Sequence, residues 1–169
     1  FGMSVRTALA RIEGRPVGLI ASNPAVRGGA VDADAADKAA RFMRLCDVHG
    51  LPIVPRVDTP GFMVGPQAEE QAQVRHASRL FVAGARLRVP LVAVVVRKAY
   101  GLGAMALAGG GLHEPVATLA WPSGEFVAKL SMETKRANRS SMRQATSSRT
   151  IAHSGHISSP KLREGEDTG

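Results

Sequence analysis

The chain has 169 residues, 44% of them hydrophobic, which allows one domain with a substantial core and excludes two large ones. Aromatic residues make up only 4%, so closely packed α/β layers are favoured over an aromatic-rich β-sandwich. The formal charge of +8 raises nucleic acid as a partner, but residues 1–126 carry 14 Lys+Arg against 10 Asp+Glu and residues 127–169 carry 8 against 4, so the basic excess is concentrated toward the C-terminus.

In chain order, Pro16 to Ser22 is a short apolar run closed by Asn23-Pro24 and Gly28-Gly29, and it reads as the first strand. Asp32 or Asp34 then caps a helix whose apolar residues Ala35, Ala36, Ala39, Phe42, Met43 and Cys46 recur at 3.6-residue spacing up to about His49 and Gly50. Within it Asp37 and Arg41 are spaced for a surface ion pair one turn apart. Leu51 to Asp58 reads as a second strand, and Pro55 inside it predicts an edge position or a bulge. Val74, Ala77, Phe81 and Ala85 predict a second helix over residues 67–87, with Gly84 weakening its last turn. Pro90 to Val96 is apolar on both faces, as a central parallel strand should be. A glycine-rich turn and a short helix of small residues follow, then a strand over Val116 to Trp121.

Strands alternating with helices require crossover connections and mostly parallel pairing, with the site in loops at the carboxyl ends of strands. Those loops are Asp58 to Gly65 and Arg97 to Gly103. From Val127 onward Ser, Thr, Arg and Lys dominate, which predicts a disordered basic tail over residues 127–169. No aromatic residue interleaves its basic ones, which argues against nucleic acid. Cys46 is the sole cysteine, so no internal disulfide or CxxC motif exists and a reducing compartment fits. The longest aliphatic run, Leu91 to Val96, is far short of the ~20 residues that cross a bilayer, and a soluble protein is expected.

The chemistry available in the two loops is mainly that of the backbone. Gly101, Gly103 and Ala104 stand between an apolar strand and a small-residue helix, where exposed amides can stabilise an oxyanion or serve only tight packing. Asp58-Thr59-Pro60-Gly61-Phe62 forms a rigid Pro-Gly turn that frees a main-chain carbonyl, or is a plain turn. Asp58 itself fits turn stabilisation better than general-base catalysis. His49, His76 and His113 have no metal-ligand spacing, so no metal site is expected. Neither glycine-rich stretch carries a complete nucleotide-binding fingerprint.

Taken in order, RIEGRPVGLIASNP (11–24), GGAVDADAADKAARFMRLCD (28–47), LPIVPRVDTPGFMVG (51–65), RHASRLF (75–81), RKAYGLGAMA (97–106) and AWPSGEF (120–126) resemble the C-terminal domain of carboxyltransferase (beta) subunits of biotin-dependent acyl-CoA carboxylases. The resemblance covers about residues 5–126. It implies an α/β, crotonase-like spiral of ββα units, incomplete at the C-terminus, with residues 1–126 as a partial carboxyltransferase domain. It also implies carboxyl transfer from carboxybiotin to an acyl-CoA. The Gly103 and Ala104 amides would bind the biotin ureido oxygen and the Phe62 carbonyl would face biotin N1, with Gly61 and Gly101 shaping the site. No biotinylation motif of the AMKM kind occurs, so biotin would arrive on a separate carrier. The implied partners are a biotin carboxylase/biotin carrier subunit and an N-terminal carboxyltransferase domain or another subunit, in a homo- or hetero-oligomer. The implied location is cytoplasmic, or the mitochondrial matrix in a eukaryote. The alternative is a non-catalytic assembly or binding protein on the same fold. Many propionyl-CoA enzymes resemble KAYGGAYD where this chain has Gly101-Leu102-Gly103-Ala104-Met105-Ala106, so acyl choice is not carried over.

Overall fold

In the computed structural model, which describes residues 1–126, the chain opens on an antiparallel hairpin of β1 (Val5–Ile12) and β2 (Arg15–Ser22). Only β2 is expected from the sequence. In β1, Val5 is buried while Leu9 and Ile12 are exposed, so the alternation that signals a half-buried strand is missing. The two turn residues, Glu13 and Gly14, both have positive φ, the backbone that matches hairpin twist, but glutamate is not the Asn or Asp that usually marks such a turn.

After a 3-10 turn at Arg27–Gly29, α1 (Ala33–Val48) starts where the Asp32 carboxylate accepts from the Ala35 amide at 2.8 Å. Of the two candidate caps, Asp32 serves. The buried stripe of α1 consists of small residues plus Met43 and Cys46, and Gly18 on β2 leaves no room for a Cβ beside the Cys46 sulfur. The expected Asp37–Arg41 pair does not form. Asp37 instead reaches His76 Nδ1 at 2.9 Å and Arg79 at 3.3 Å, and Arg41 lies 5.8 Å from the Phe1 ring centroid. Burial alone would raise the Asp37 carboxyl, but the hydrogen bonds and charges of His76 and Arg79 outweigh it and hold it below its ordinary value.

The remaining elements are β3 (Ile53–Thr59), α2 (Pro66–Glu70), α3 (Gln73–Ala85), β4 (Val92–Ala99), α4 (Gly101–Leu107), β5 (Ala117–Ala120) and β6 (Glu125–Phe126). The sheet order is β1-β2-β3-β4-β5, with β6 also beside β4, and every pair after the hairpin is parallel.

Pro55 therefore does not mark an edge, because β3 lies between β2 and β4. The Ile53 amide donates to the Pro90 carbonyl on the β4 side, and the two-residue period places the missing Pro55 donor on that same side. There the pairing is interrupted: it occurs at Ile53↔Leu91 and resumes at Arg56↔Val94, so the proline sits in a gap in the ladder. The single helix expected over residues 67–87 is also broken in two. Ala72 adopts a left-handed conformation, φ 53° and ψ 42°, which no glycine or proline announces. Just beyond it the buried Gln73 side chain donates to the Val31 carbonyl at 3.2 Å, tying α3 to the connection before α1.

Strand, short extended stretch and helix recur, and the extended stretches of two successive turns meet where Val31 pairs in parallel with Phe62. This is the crotonase-like spiral of ββα units, with the second strand of a unit reduced here to a single bridge. Ile20, Ile53, Val57, Ala93 and Val95 point to the helix-covered face and are buried. On the opposite face Leu19, Val54, Val92, Val94 and Val96 are only half-buried, so β4 is not enclosed on both sides as its composition predicts. Among the described residues no helix is long and apolar enough to cross a membrane. The basic tail expected over residues 127–169 lies outside the described residues.

Candidate active site

The carboxyl ends of β3 and β4 bring the two candidate loops into backbone contact. The Tyr100 amide donates to the Thr59 carbonyl at 3.1 Å, and the Thr59 hydroxyl lies 3.1 Å from both the Gly61 amide and its carbonyl oxygen. The Val31 amide donates to the Gly61 carbonyl, and the Met63 amide to the Val31 carbonyl, each at 2.9 Å. Residues 59–63 are thus pinned on both sides of Phe62. Among the described residues no hydrogen bond ends on the Phe62 carbonyl.

Two glycines of the opposite loop serve different ends. At Gly101 φ is +58° and an added Cβ would meet nothing within 4 Å, so the residue is there for its backbone conformation. At Gly103 the need is space: a Cβ would lie 2.6 Å from the Gly61 carbonyl carbon and 2.9 Å from the Phe62 nitrogen. Without a side chain at 103 the start of α4 can rest directly on the Pro-Gly turn.

The hydrogen bonding of the helix start also differs from that of the other helices. In α1, α2 and α3 the cap carbonyl accepts from the residue four places on, as in Ala36 to Asp32, Glu69 to Gly65 and His76 to Ala72. The corresponding bond from Ala104 to Tyr100 is not made among the described residues, and the Tyr100 carbonyl lies beside Gly61 instead. Gly103 likewise finds no acceptor outside the helix among the described residues, although it is buried. Buried amides are almost always paired, so a buried donor without an acceptor calls for a ligand or a strained function. Of the sequence-derived residues, Gly61, Gly103 and Ala104 are buried, Phe62 is half-buried and Gly101 is exposed, all within this one junction.

Asp58 is nearly buried, but its carboxylate is occupied with the sheet. Its Oδ1 accepts from the Lys98 amide at 3.2 Å and from Arg97 Nε at 3.4 Å. The β3–β4 register jumps between Val57↔Val95 and Thr59↔Ala99, and Asp58 supplies an acceptor to an amide at that irregularity. It is a structural acid. Lys98 Nζ donates to the Gly28 carbonyl at 3.0 Å, tying the preceding loop to the same end of β4.

Tyr100 and Glu125 do not stand out in the sequence, but the Tyr100 hydroxyl donates a short hydrogen bond to the Glu125 carboxylate. The one available signal was that Tyr100 is the sole tyrosine and adjoins the glycine turn. Among the described residues no group of three or more His, Cys, Asp or Glu is placed to share a metal ion. A cavity of about 550 Å³ lies at the other end of β4, lined by Phe81, Leu87, Leu91, Gly109 and Val116 among others.

A family model described as the carboxyl transferase domain matches residues 1–137. The methylmalonyl-CoA carboxyltransferase 12S subunit of Propionibacterium freudenreichii subsp. shermanii is 41% identical over 126 residues, 75% of this chain and 24% of that protein. The propionyl-CoA carboxylase beta chain of Roseobacter denitrificans is 37% identical over 125 residues, 74% of this chain and 24% of its own length. Among solved structures, a single-chain, multi-domain long-chain acyl-CoA carboxylase matches with 58% identity and a TM-score of 0.73, over 74% of this chain and 13% of that one. The hexameric transcarboxylase 12S structure matches with 40% identity and a TM-score of 0.70, over 75% and 24%. The chain spans about a quarter of the length of the curated relatives it matches. With the family model covering most of the chain and the ββα spiral recurring in these structures, the chain belongs to the carboxyl transferase domain family.

Proposed function

We propose that this chain supplies the carboxybiotin-binding half of a carboxyltransferase that acts on an acyl-CoA. The observation that carries the reading is that buried Gly103, whose amide makes no hydrogen bond among the described residues, packs against a loop whose Phe62 carbonyl is also unbonded there. A cyclic urea presents one oxygen acceptor beside N–H donors, so a donor and an acceptor on touching backbones fit a biotin ureido group.

When bound, carboxybiotin would supply the carboxyl group from N1, and N1 would take the proton that the acyl α-carbon gives up in exchange. The Gly103 and Ala104 amides donate to the ureido oxygen, where negative charge grows as the N1–carboxyl bond breaks. One preorganised donor of this kind contributes about 3 kcal/mol to the transition state. The Phe62 carbonyl accepts from N1 once N1 carries the proton, while Gly61 and Gly101 supply the positive-φ backbone of the two loops and Gly103 allows their close approach. No side chain of this junction is assigned a proton-transfer role, in keeping with the engagement of Asp58 by the sheet.

The partners under this reading are a biotin carboxylase/biotin carrier subunit and an acyl-CoA-binding carboxyltransferase domain, within an oligomer. Names of the relatives support it: they include subunits of biotin-dependent acetyl-/propionyl-CoA carboxylases, and the transcarboxylase 12S assembly is a hexamer. Residues 1–126 form the catalytic part and residues 127–169 a separate basic segment.

The test mixes the full chain with a separate acyl-CoA-binding carboxyltransferase domain and a carrier loaded with isotopically labelled carboxybiotin. Label is expected in the acyl-CoA only when all three are present. If the folded chain adds nothing to the other two, the chain is a binding protein on this fold and the catalytic reading fails.

A further inference from the structure

Tyr100, the residue immediately before the amide turn, is fastened to the sheet on two sides. Its backbone amide donates to Thr59 on β3, and its hydroxyl donates to Glu125 on β6. β6 is only two residues long, yet it is well supported: Glu125 pairs with Lys98 and Phe126 with Ala99 on β4. The loop before it is anchored to the same strand, with the Trp121 amide on the Val95 carbonyl at 2.8 Å and the Ser123 hydroxyl on the Val96 carbonyl at 2.8 Å. Glu125 therefore stands on a rigid base and holds a side chain whose own backbone leads straight into Gly101.

This fastening has work to do because α4 lacks the usual means of fixing its start. Its cap residue makes no side-chain cap bond, Gly101 is in the left-handed region, and the Ala104-to-Tyr100 bond is absent among the described residues. The direction in which the Gly103 and Ala104 amides point depends on where Tyr100 is held. Active-site donors must be kept within about 0.5 Å of the productive geometry, and that precision comes from the groups supporting them.

We infer that Glu125 is a positioning residue: through the Tyr100 hydroxyl it fixes the backbone turn that presents the Gly103 and Ala104 amides. The inference rests on the assignment of that turn to biotin. Arg97 and Asp58 are the other charged groups felt by the Tyr100 hydroxyl, and they are paired with each other at 3.4 Å, which leaves Glu125 as its direct partner. The hydrogen bond to Glu125, followed by desolvation and the carboxylate charge, pushes the Tyr100 phenol above its ordinary value.

The experiment uses the full chain and the variants Glu125→Ala, Tyr100→Phe and their double mutant. Because Tyr100 is the sole tyrosine, its ionisation is followed directly by ultraviolet absorbance, with circular dichroism reporting the fold at each pH. Glu125→Ala is expected to lower the tyrosine transition. Hydrogen exchange at the Tyr100 amide, which is bonded to the Thr59 carbonyl, is expected to quicken by about 10-fold, with the amides of α1 unchanged, as local loosening rather than unfolding requires. Affinity for free biotin is expected to fall by about 10-fold in either single variant and no further in the double, as for two residues acting through one bond. An unmoved tyrosine transition, unchanged exchange at the Tyr100 amide, or full biotin affinity after the bond is lost would each overturn the positioning role. If the wild-type chain binds no biotin, the assignment of the turn fails, and the titration and exchange results still decide whether Glu125 orders it.

Discussion

Replacing Gly103 with proline is expected to slow carboxyl transfer in the reconstituted mixture by at least about 100-fold, the usual cost of losing one oxyanion-hole donor. Proline removes the amide hydrogen, but it also adds carbon atoms where a Cβ would already lie 2.6 Å from the Gly61 carbonyl carbon. Gly103→Ala separates the two effects, since it meets the same backbone and keeps the amide. The alanine variant is expected to lose about 10-fold through displacement of the Pro-Gly turn, equivalent to about 1.4 kcal/mol. The further loss in the proline variant belongs to the missing donor. Equal rates for the two folded variants would assign the whole effect to displacement and remove the amide from the mechanism. Asp58→Asn is the control for side-chain chemistry: an amide oxygen still accepts from Lys98, so transfer is expected to stay within about 10-fold of wild type, whereas a general base would lose far more.

A large effect on stability, without a direct role in chemistry, is expected at Gly84. The residue lies in α3, where alanine is favoured over glycine by about 1 kcal/mol on helix propensity alone. Its surroundings reverse that sign. A Cβ on Gly84 would lie 2.6 Å from the carbonyl carbon and 2.7 Å from the carbonyl oxygen of Gly109, backbone atoms that cannot swing aside as a side-chain tip would. Gly84→Val is therefore expected to cost about 3 kcal/mol, at the upper end for overpacking a filled site, and Gly84→Ala a smaller loss of the same sign. Urea unfolding measures both. An alanine variant more stable than wild type would show that α3 does not rest on the Gly109 turn as described.

The sequence made parts of this structure legible for identifiable reasons. The α1 periodicity was readable because a long amphipathic segment repeats its signal, with its cap narrowed to Asp32 or Asp34, and β4 because its uninterrupted apolar run from Leu91 to Val96 has few alternatives. The strand β1 was hidden by its lack of alternation. The break at Ala72 was hidden because its left-handed backbone is associated with the tertiary bond from Gln73 to Val31 rather than with a local breaker. Pro55 misled for a related reason: a proline is harmless in a central strand when the ladder already has a gap there, and pairing cannot be read from one strand.

At the site, the glycine-rich turn and the Pro-Gly turn could be found as local motifs, and resemblance gave their meeting a chemical purpose. Their contact through Gly103, and the missing bond between Ala104 and Tyr100 among the described residues, emerge only in three dimensions. Tyr100 and Glu125, 25 positions apart, carry no spacing signal at all.

A cavity of about 550 Å³ lies at the amino end of β4, at the opposite end of that strand from the carboxyl-end turn. The direct test is therefore to locate bound biotin by amide chemical-shift mapping on the full, isotope-labelled chain. Saturable shifts centred on Gly101 to Ala104 and on Gly61 and Phe62, with the amides of Leu87, Leu91 and Gly109 unmoved, are expected if the backbone junction receives the ureido group. Shifts confined to the amino-end cavity, or none at any biotin concentration with the chain folded, would contradict the assignment of carboxybiotin to these loops.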